Sequence, residues 1–272
     1  MAFSIITNIT KFLNFTHAAV ITLGAYFCFL YTFQLHLSLS LAIILAITST
    51  SIIGISCELF VYKPMRKRNM ELWHYLIASI GLYVILQNLI SLYFGDDTKV
   101  LRTGEVTVGH EIFGAYITTI QIVTICVSLL LFIVVNLFLN KSRTGKSIKA
   151  VSNNPELSNI YGINSNRVIL IAFVIGSALA AVAGILSAMD TNMTPTFGFN
   201  LLLYGVIAMI IGGVGSTKGL IAGSFLVAAA QHLGAYYINT KWMDAIAFII
   251  LIIFLIWKPL GFSGMRLKKV EV

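Results

Sequence analysis

The sequence predicts an all-α, polytopic transmembrane helical bundle of about eight spans with both termini cytoplasmic. Three observations predict it. Of the 272 residues, 58% are apolar and only 10% charged, with a mean hydropathy of +0.92. An ordinary soluble domain is about 45–50% apolar and about 25% charged, and a soluble monomer of this size could not hide so much apolar surface. Apolar runs free of charge lie near 18–35, 38–57, 76–95, 116–139, 168–188, 201–217, 220–238 and 245–257, and all Asp, Glu, Lys and Arg residues fall between them. Crossing ~30 Å of hydrocarbon takes ~20 apolar residues, and a charge at mid-bilayer costs at least ~2.5–3.5 kcal/mol.

The third observation is the sidedness of charge. Segments 58–75, 140–167, 218 and 258–272, with Lys11, hold 15 of the 18 basic residues. The alternate connections hold only Lys99, Arg102 and Lys241, against Asp96, Asp97, Glu105, Glu111, Asp190 and Asp244. Positive charge concentrates on the cytoplasmic side of membrane proteins, so the first group is expected inside. The net charge of +8 then reports orientation, not nucleic-acid binding, because no basic stretch is interleaved with stacking aromatics. Four prolines and three cysteines exclude collagenous, disordered and disulfide-scaffold classes. Cys28, Cys57 and Cys126 sit in or beside apolar runs and read as buried thiols.

Taken in order, the first 17 residues lack a basic segment followed by a small-residue cleavage site, so no cleavable signal is expected. Asn8, Thr10, Lys11, Asn14 and His17 make them too polar for a span. A short or re-entrant segment buried among other helices is expected. In 76–95, Gln87 and Asn88 call either for helix–helix hydrogen bonds or for substrate contact, as do Asn136 in 116–139 and Gln231 with His232 in 220–238. Tyr75 and Trp257 fall at predicted boundaries, where amphipathic aromatics belong. In 168–188, Gly176, Ala180, Gly184 and Ala188 recur every fourth residue, flanked by Ser177 or Ala181. Such a face lets backbones approach closely in lipid. Between 201–217 and 220–238, Gly212, Gly213, Gly215, Gly219 and Gly223 mark either a bent helix beside a permeation path or a tight turn. The last run, 245–257, is short and extends back to Trp242.

The longest inside loop, 140–167, contains Ser152-Asn153-Asn154-Pro155-Glu156-Leu157-Ser158. Asn154 suits an N-cap, Pro155 the first helical position, and Glu156 the positive end of the helix dipole. Gly162 suits the left-handed position after a helix. The spacing predicts a helix of about seven residues over 155–161, with Leu157, Ile160 and Tyr161 on one face. So short a helix needs a surface: the membrane interface, its own bundle, or the groove of a cytosolic partner.

No catalytic constellation is present. Thr144-Gly145-Lys146-Ser147 ends like a P-loop, but Asn140 stands where the first glycine belongs and a membrane helix precedes it. His17, His36, His74, His110 and His232 show no metal-ligand spacing, and no serine lies in a GxSxG setting. No cofactor and no metal are expected.

Several stretches together resemble one family. Asn14-Phe15-Thr16-His17-Ala18 followed by Leu23-Gly24-Ala25-Tyr26 is similar to the NFAHG…GAY signature of the branched-chain amino acid ABC transporter permeases. Glu58-Leu59-Phe60-Val61-Tyr62-Lys63-Pro64-Met65-Arg66 resembles their ExxxYRPLR stretch. Ile80-Gly81 with Ile85-Leu86-Gln87-Asn88 resembles their xIGxSxxLQN helix. Asn154-Pro155-Glu156 with Gly162-Ile163-Asn164 resembles their coupling loop, and Gly212-Gly213-Val214-Gly215-Ser216 with Gly219 their GGIGS…G segment. The matches keep their order from about residue 5 to 262.

The resemblance implies a permease subunit of an importer in the cell (inner) membrane, in contact with lipid and not itself an enzyme. Its partners would be a second permease subunit, two cytoplasmic ABC ATPase subunits and an extracytoplasmic substrate-binding protein, with no nucleic acid. Cargo would be branched-chain amino acids, with urea, amides or other small solutes as the alternative. Asn154, Pro155, Glu156, Leu157, Ile160, Tyr161 and Gly162 would form the ATPase-coupling element. Asn14, His17, Gln87, Asn88, Gly212, Gly213 and Gly215 are candidates for the path. Residues 1–262 would form one permease domain and 263–272 a basic cytoplasmic tail. Three departures stand out: the family's first apolar helix, before the NFAHG segment, is apparently missing, Thr16 and Ala18 replace Ala and Gly, and Ser158 replaces Ala. A stand-alone secondary transporter or channel is the rival of a different class, and it lacks an intramembrane Asp or Glu for ion coupling. A purely structural membrane scaffold is a further rival.

Overall fold

Helix α1 (Ala2–Thr10) is only nine residues long, yet Phe3, Ile5, Ile6 and Ile9 are buried. It ends where Lys11 turns left-handed at φ +64°, and α2 (Thr16–Gln34) begins five residues further on. Around this interrupted pair stand α3 (Leu39–Lys67), α4 (Leu72–Phe94), α5 (Thr119–Lys141), α8 (Ser165–Asp190), α9 (Phe197–Gly212), α10 (Thr217–Tyr237) and α11 (Thr240–Trp257). Two short helices, α6 (Arg143–Asn153) and α7 (Pro155–Ile160), join α5 to α8. The computed structural model describes residues 1–102, 109–112, 115–258 and 261–262. Glu105 and the basic tail 263–272 lie outside the described residues.

Among the described residues, seven helices are long and apolar enough to cross a membrane. The eighth, α9, has 16 residues and a length of about 24 Å at 1.5 Å per residue. All eight predicted runs are therefore helices, and α8 is their hub. Its small-residue face explains why. A Cβ on Gly184 would overlap the Ile21 carbonyl of α2, and one on Gly176 would come within 2.6 Å of Ile6 Cδ1 of α1. Across the same helix, Gly24 of α2 would bring a Cβ to 2.5 Å from Ala181 Cα, and a Cβ on Gly54 of α3 would overlap Ser177 Oγ. Small residues here let α2 meet α8 backbone to backbone, seat Ile6 of α1 against Gly176 and seat Ser177 against Gly54 of α3.

Four features differ from the sequence expectation. The segment 58–75 is not a loop: α3 continues to Lys67 through a π-helical stretch, Glu58–Tyr62. That continuation buries Glu58, so a carboxylate does lie within a long apolar helix. The 140–167 segment holds a second helix, α6, capped by Ser142 Oγ accepting the Gly145 N–H at 2.8 Å. Its polar average hides a buried stripe of Gly145, Ile148 and Val151. A two-stranded antiparallel hairpin, β1 (His110–Ile112) with β2 (Ala115–Ile117), pairs His110 with Ile117. Finally, Cys28 and Cys57 are buried but Cys126 is exposed, and Tyr75 is buried against Phe12, 5.2 Å between ring centroids.

The described Lys and Arg residues other than Lys99, Arg102 and Lys241 gather at the end where α3, α5, α9 and α11 finish. At the opposite end Arg102 donates to the Met189 carbonyl at 2.9 Å and to the Asp190 carbonyl, so a cation closes the negative C-terminus of α8. Lys99 pairs with Met193 beside it.

Candidate functional site

The short helix α7 is closed at both ends by the residues the sequence nominates. Asn154 has an extended backbone, and its Oδ1 accepts the Leu157 N–H at 2.9 Å. Pro155 occupies the first turn with Glu156, where a missing N–H is harmless and a negative charge is favoured. Gly162 has φ +81°, and the Ile163 N–H reaches back to the Ser158 carbonyl at 2.9 Å, the pattern that ends helices at a left-handed residue. The helix stops at Ile160 and Tyr161 is its C-cap, one residue earlier than predicted.

This helix is pinned from behind. Ser158 is buried and its Oγ donates to the Asn154 carbonyl at 2.7 Å. Ser165 Oγ, in the first turn of α8, donates to the Pro155 carbonyl at 3.0 Å, and the Ser165 N–H donates to Asn159 Oδ1 at 3.0 Å. In front it is bare. Leu157, Ile160 and Tyr161 are 49%, 80% and 79% exposed, so the bundle does not cover the apolar face. An adjoining wall is α6, whose Ser152 Oγ donates to the Asn8 carbonyl of α1 at 3.0 Å.

A second cluster surrounds the α1–α2 break. Asn14, Thr16, His17, Tyr62 and Ser79 are all buried. Asn14 Oδ1 accepts the Thr16 N–H at 3.1 Å and the Tyr62 hydroxyl at 2.9 Å. The Thr16 hydroxyl lies 2.6 Å from that of Tyr62 and 3.0 Å from the Ser79 carbonyl. Ser79 Oγ in turn accepts the Phe15 N–H at 3.2 Å. The chain can leave helical geometry at this depth because neighbouring side chains satisfy the freed backbone groups. His17 lines a cavity of about 10 Å³ with Asn14, Thr16 and Ser177, and its Nε2 has no partner among the described residues. A larger cavity, about 50 Å³, also borders Asn14 and is lined by Leu13, Phe15, Leu202 and Val206. Partial burial holds the Lys11 ammonium pKa below its ordinary value at the mouth of the break.

Asn14 and His17 are thus brought together, and Gln87 and Asn88 are not. They lie eight and nine residues beyond Ser79 on α4, about 12–14 Å along the axis. Gln87 is half-buried, and Asn88 is exposed with its Nδ2 donating to the Val84 carbonyl of its own helix at 2.8 Å. Gly212 is in backbone contact with Gly219, and a Cβ on either would overlap the other's carbonyl. Gly213 and Gly215 both have φ +93° in the turn between α9 and α10. Those φ values and contacts match the tight-turn alternative for this segment.

Thr16, Glu58, Tyr62 and Arg66 figure in the sequence only within the family resemblance, with no site role assigned, and Ser79 not at all; the structure joins Thr16, Tyr62 and Ser79 to the break and pairs Glu58 with Arg66. The signal available was Glu58 itself: a lone acid abutting an apolar run, with an arginine two turns later.

A family model described as the branched-chain amino acid transport system permease component matches residues 1–255. The chain belongs to this family. Branched-chain amino acid transport permeases similar to it include the high-affinity permease protein LivH of Escherichia coli K12. That relative is 32% identical over 97% of this chain and 89% of its own length. BraD of Pseudomonas aeruginosa is 31% identical over 97% of this chain and 90% of its own. A probable LivH of Methanocaldococcus jannaschii is 26% identical over 81% and 74%. No solved structure matches. As a member of this permease family with seven helices among the described residues long and apolar enough to cross a bilayer, the chain is a multi-pass membrane protein.

Proposed function

We propose that this chain is the permease subunit of an ATP-driven importer and forms, with a second permease subunit, the path for branched-chain amino acids. The observation that carries the reading is α7: a helix too short to stand alone, pinned to α8 from behind, with three large apolar side chains facing outward. That is the form of a helix that seats in a partner's groove. The groove belongs to a cytoplasmic ATPase subunit, one of two. A substrate-binding protein meets the opposite end of the bundle, where Lys99 and Arg102 lie. Both termini and the end carrying α6 and α7 are cytoplasmic, consistent with the concentration of Lys and Arg there.

In mechanism, nucleotide-driven closure of the ATPases displaces Leu157, Ile160 and Tyr161. Because Asn154, Pro155, Glu156 and Gly162 fix the helix, and Ser165 ties it to α8, it moves as a rigid lever. α8 packs against α1, α2 and α3, so the lever acts on the α1–α2 break. Asn14 and His17 contribute to the path there, and Gln87 and Asn88 further along α4. The Gly212, Gly213 and Gly215 turn allows α9 and α10 to close on each other at backbone distance. Substrate selection rests on the external binding protein and on the second subunit as much as on this chain.

The test is uptake of labelled leucine in a strain deleted for this chain and complemented with it. Restored uptake that isoleucine and valine compete with, and urea and amides do not, supports the proposal. Competition by urea or amides alone would reassign the cargo within the same family.

A further inference from the structure

We infer that Arg66 and Tyr62 are positioning residues that carry displacement of α7 to the α1–α2 break; the inference rests on the importer reading above. Four observations lead there. Arg66 bridges two parts of the chain: its Nε donates to Asn166 Oδ1 at 3.3 Å, one residue beyond the Ser165 that pins α7, and its NH2 group pairs with Glu58. Glu58 and Tyr62 bound the π-helical stretch of α3, so the acid of the ion pair and the tyrosine ring sit one turn apart, and Arg66 follows on the next turn. π-Helical turns inside α-helices recur at functional positions. The Tyr62 ring is fully buried between Phe12, beside the break, and Phe173 of α8, at 5.3 and 5.8 Å between centroids. Its hydroxyl then reaches Asn14 and Thr16. From α7 the line runs by hydrogen bonds to Ser165 and, one residue on, from Asn166 to Arg66 and Glu58; the backbone of the π-helical turn then carries it from Glu58 to Tyr62, whose hydroxyl meets the break.

Two features argue that this line is more than a brace. Glu58 is buried with Oε2 lacking a partner among the described residues. A buried ion pair left half-satisfied is a poor source of stability, since desolvation offsets the attraction. At its far end, the hydroxyls of Tyr62 and Thr16 own two hydrogens, while three contacts call for one: Tyr62 with Asn14, Tyr62 with Thr16, and Thr16 with the Ser79 carbonyl. Two arrangements keep a hydrogen between the two hydroxyls, which lie 2.6 Å apart. In one, Thr16 donates to Tyr62 and Tyr62 donates to Asn14. In the other, Tyr62 donates to Thr16 and Thr16 donates to Ser79 of α4. A shift of Tyr62 along its axis selects between gripping the break and gripping α4. Two discrete arrangements biased from a distance are what transmission through packed elements requires.

The experiment uses the importer reconstituted with both permeases, the ATPases and the binding protein, and measures leucine imported per ATP hydrolysed. Two variants spare the fold: Asn166→Ala removes an exposed side chain, and Tyr62→Phe keeps the ring packing. Each is expected to leave membrane abundance and ATP hydrolysis near wild type while import per ATP falls about 2- to 30-fold, the span that positions along coupling networks contribute. The double variant falls no further than the worse single one, because both interrupt one line. Import per ATP within about twofold of wild type in both single variants, smaller than the lower end of that span, overturns the inference. So does parallel loss of abundance, hydrolysis and import, and so does a double variant whose loss is the product of the two. A wild-type complex that imports no leucine on ATP overturns the functional reading itself, a distinct result.

Discussion

Replacing Ile160 with alanine isolates the docking contact from the fold. Ile160 is 80% exposed on the free face of α7, so its loss removes almost nothing from the bundle. Substitutions at such positions usually stay within about 0.5 kcal/mol in stability. Docked into a groove, the same side chain would bury three carbon atoms beyond Cβ, at about 0.8 kcal/mol each. Scaled by the fraction now in the open, the loss on docking is about 2 kcal/mol, or about 30-fold in association. The assay is titration of purified ATPase subunits against the permease in detergent or nanodiscs, with leucine uptake in parallel and membrane abundance by immunoblot. Association weakened by about 30-fold with abundance unchanged is expected. Association within twofold and uptake at wild-type level would refute the docking role of α7.

Asn154→Ala removes the acceptor for the Leu157 N–H and costs about 1 kcal/mol of a six-residue helix; uptake falls about fivefold with normal abundance, checked in the complemented strain. Leu157→Asp or Tyr161→Asp uncouples ATP hydrolysis from uptake without lowering abundance, and unchanged transport by both would remove them from the interface. Gly184→Leu would drive a side chain into the Ile21 carbonyl and is expected to cut folded protein in the membrane. Gly81→Ala, where nothing lies within 4 Å, gains up to about 1 kcal/mol of helix propensity and leaves abundance equal or higher. A cysteine at Ser147 in α6 reacts with an impermeant thiol reagent in inside-out vesicles and one at Asn239 reacts in intact cells; the reverse pattern would invert the topology.

What the sequence made legible follows from the physics of lipid. A span must be long, apolar and uncharged, so eight helices could be read from composition alone, and the small-residue face of α8 announced its own packing. The α7 caps were legible because each end of a short helix needs a particular residue type, and Asn154, Pro155 and Gly162 supply them. The extension of α3 was hidden by its charge: Glu58, Lys63, Arg66 and Lys67 look like a loop until Glu58 is seen paired with Arg66. α6 was hidden because its three buried residues are scattered among Arg143, Lys146 and Lys149. The cluster of Leu13, Asn14, Thr16, Tyr62 and Ser79 joins residues up to 66 positions apart, and no local pattern reports such a meeting. The Gly212–Gly215 segment shows the converse. Its composition allowed two readings, and φ +93° at Gly213 and Gly215 fits the turn.

The central claim, that this chain moves branched-chain amino acids only as part of an ATP-driven assembly, is met most directly by leucine uptake into sealed proteoliposomes of defined content. Vesicles holding this chain, the second permease and both ATPases, with binding protein outside and ATP inside, are predicted to accumulate leucine; the same vesicles without ATP, or with this chain alone, are predicted to stay at background. Leucine accumulation by this chain alone, driven by an ion gradient in the absence of ATP, would contradict the account.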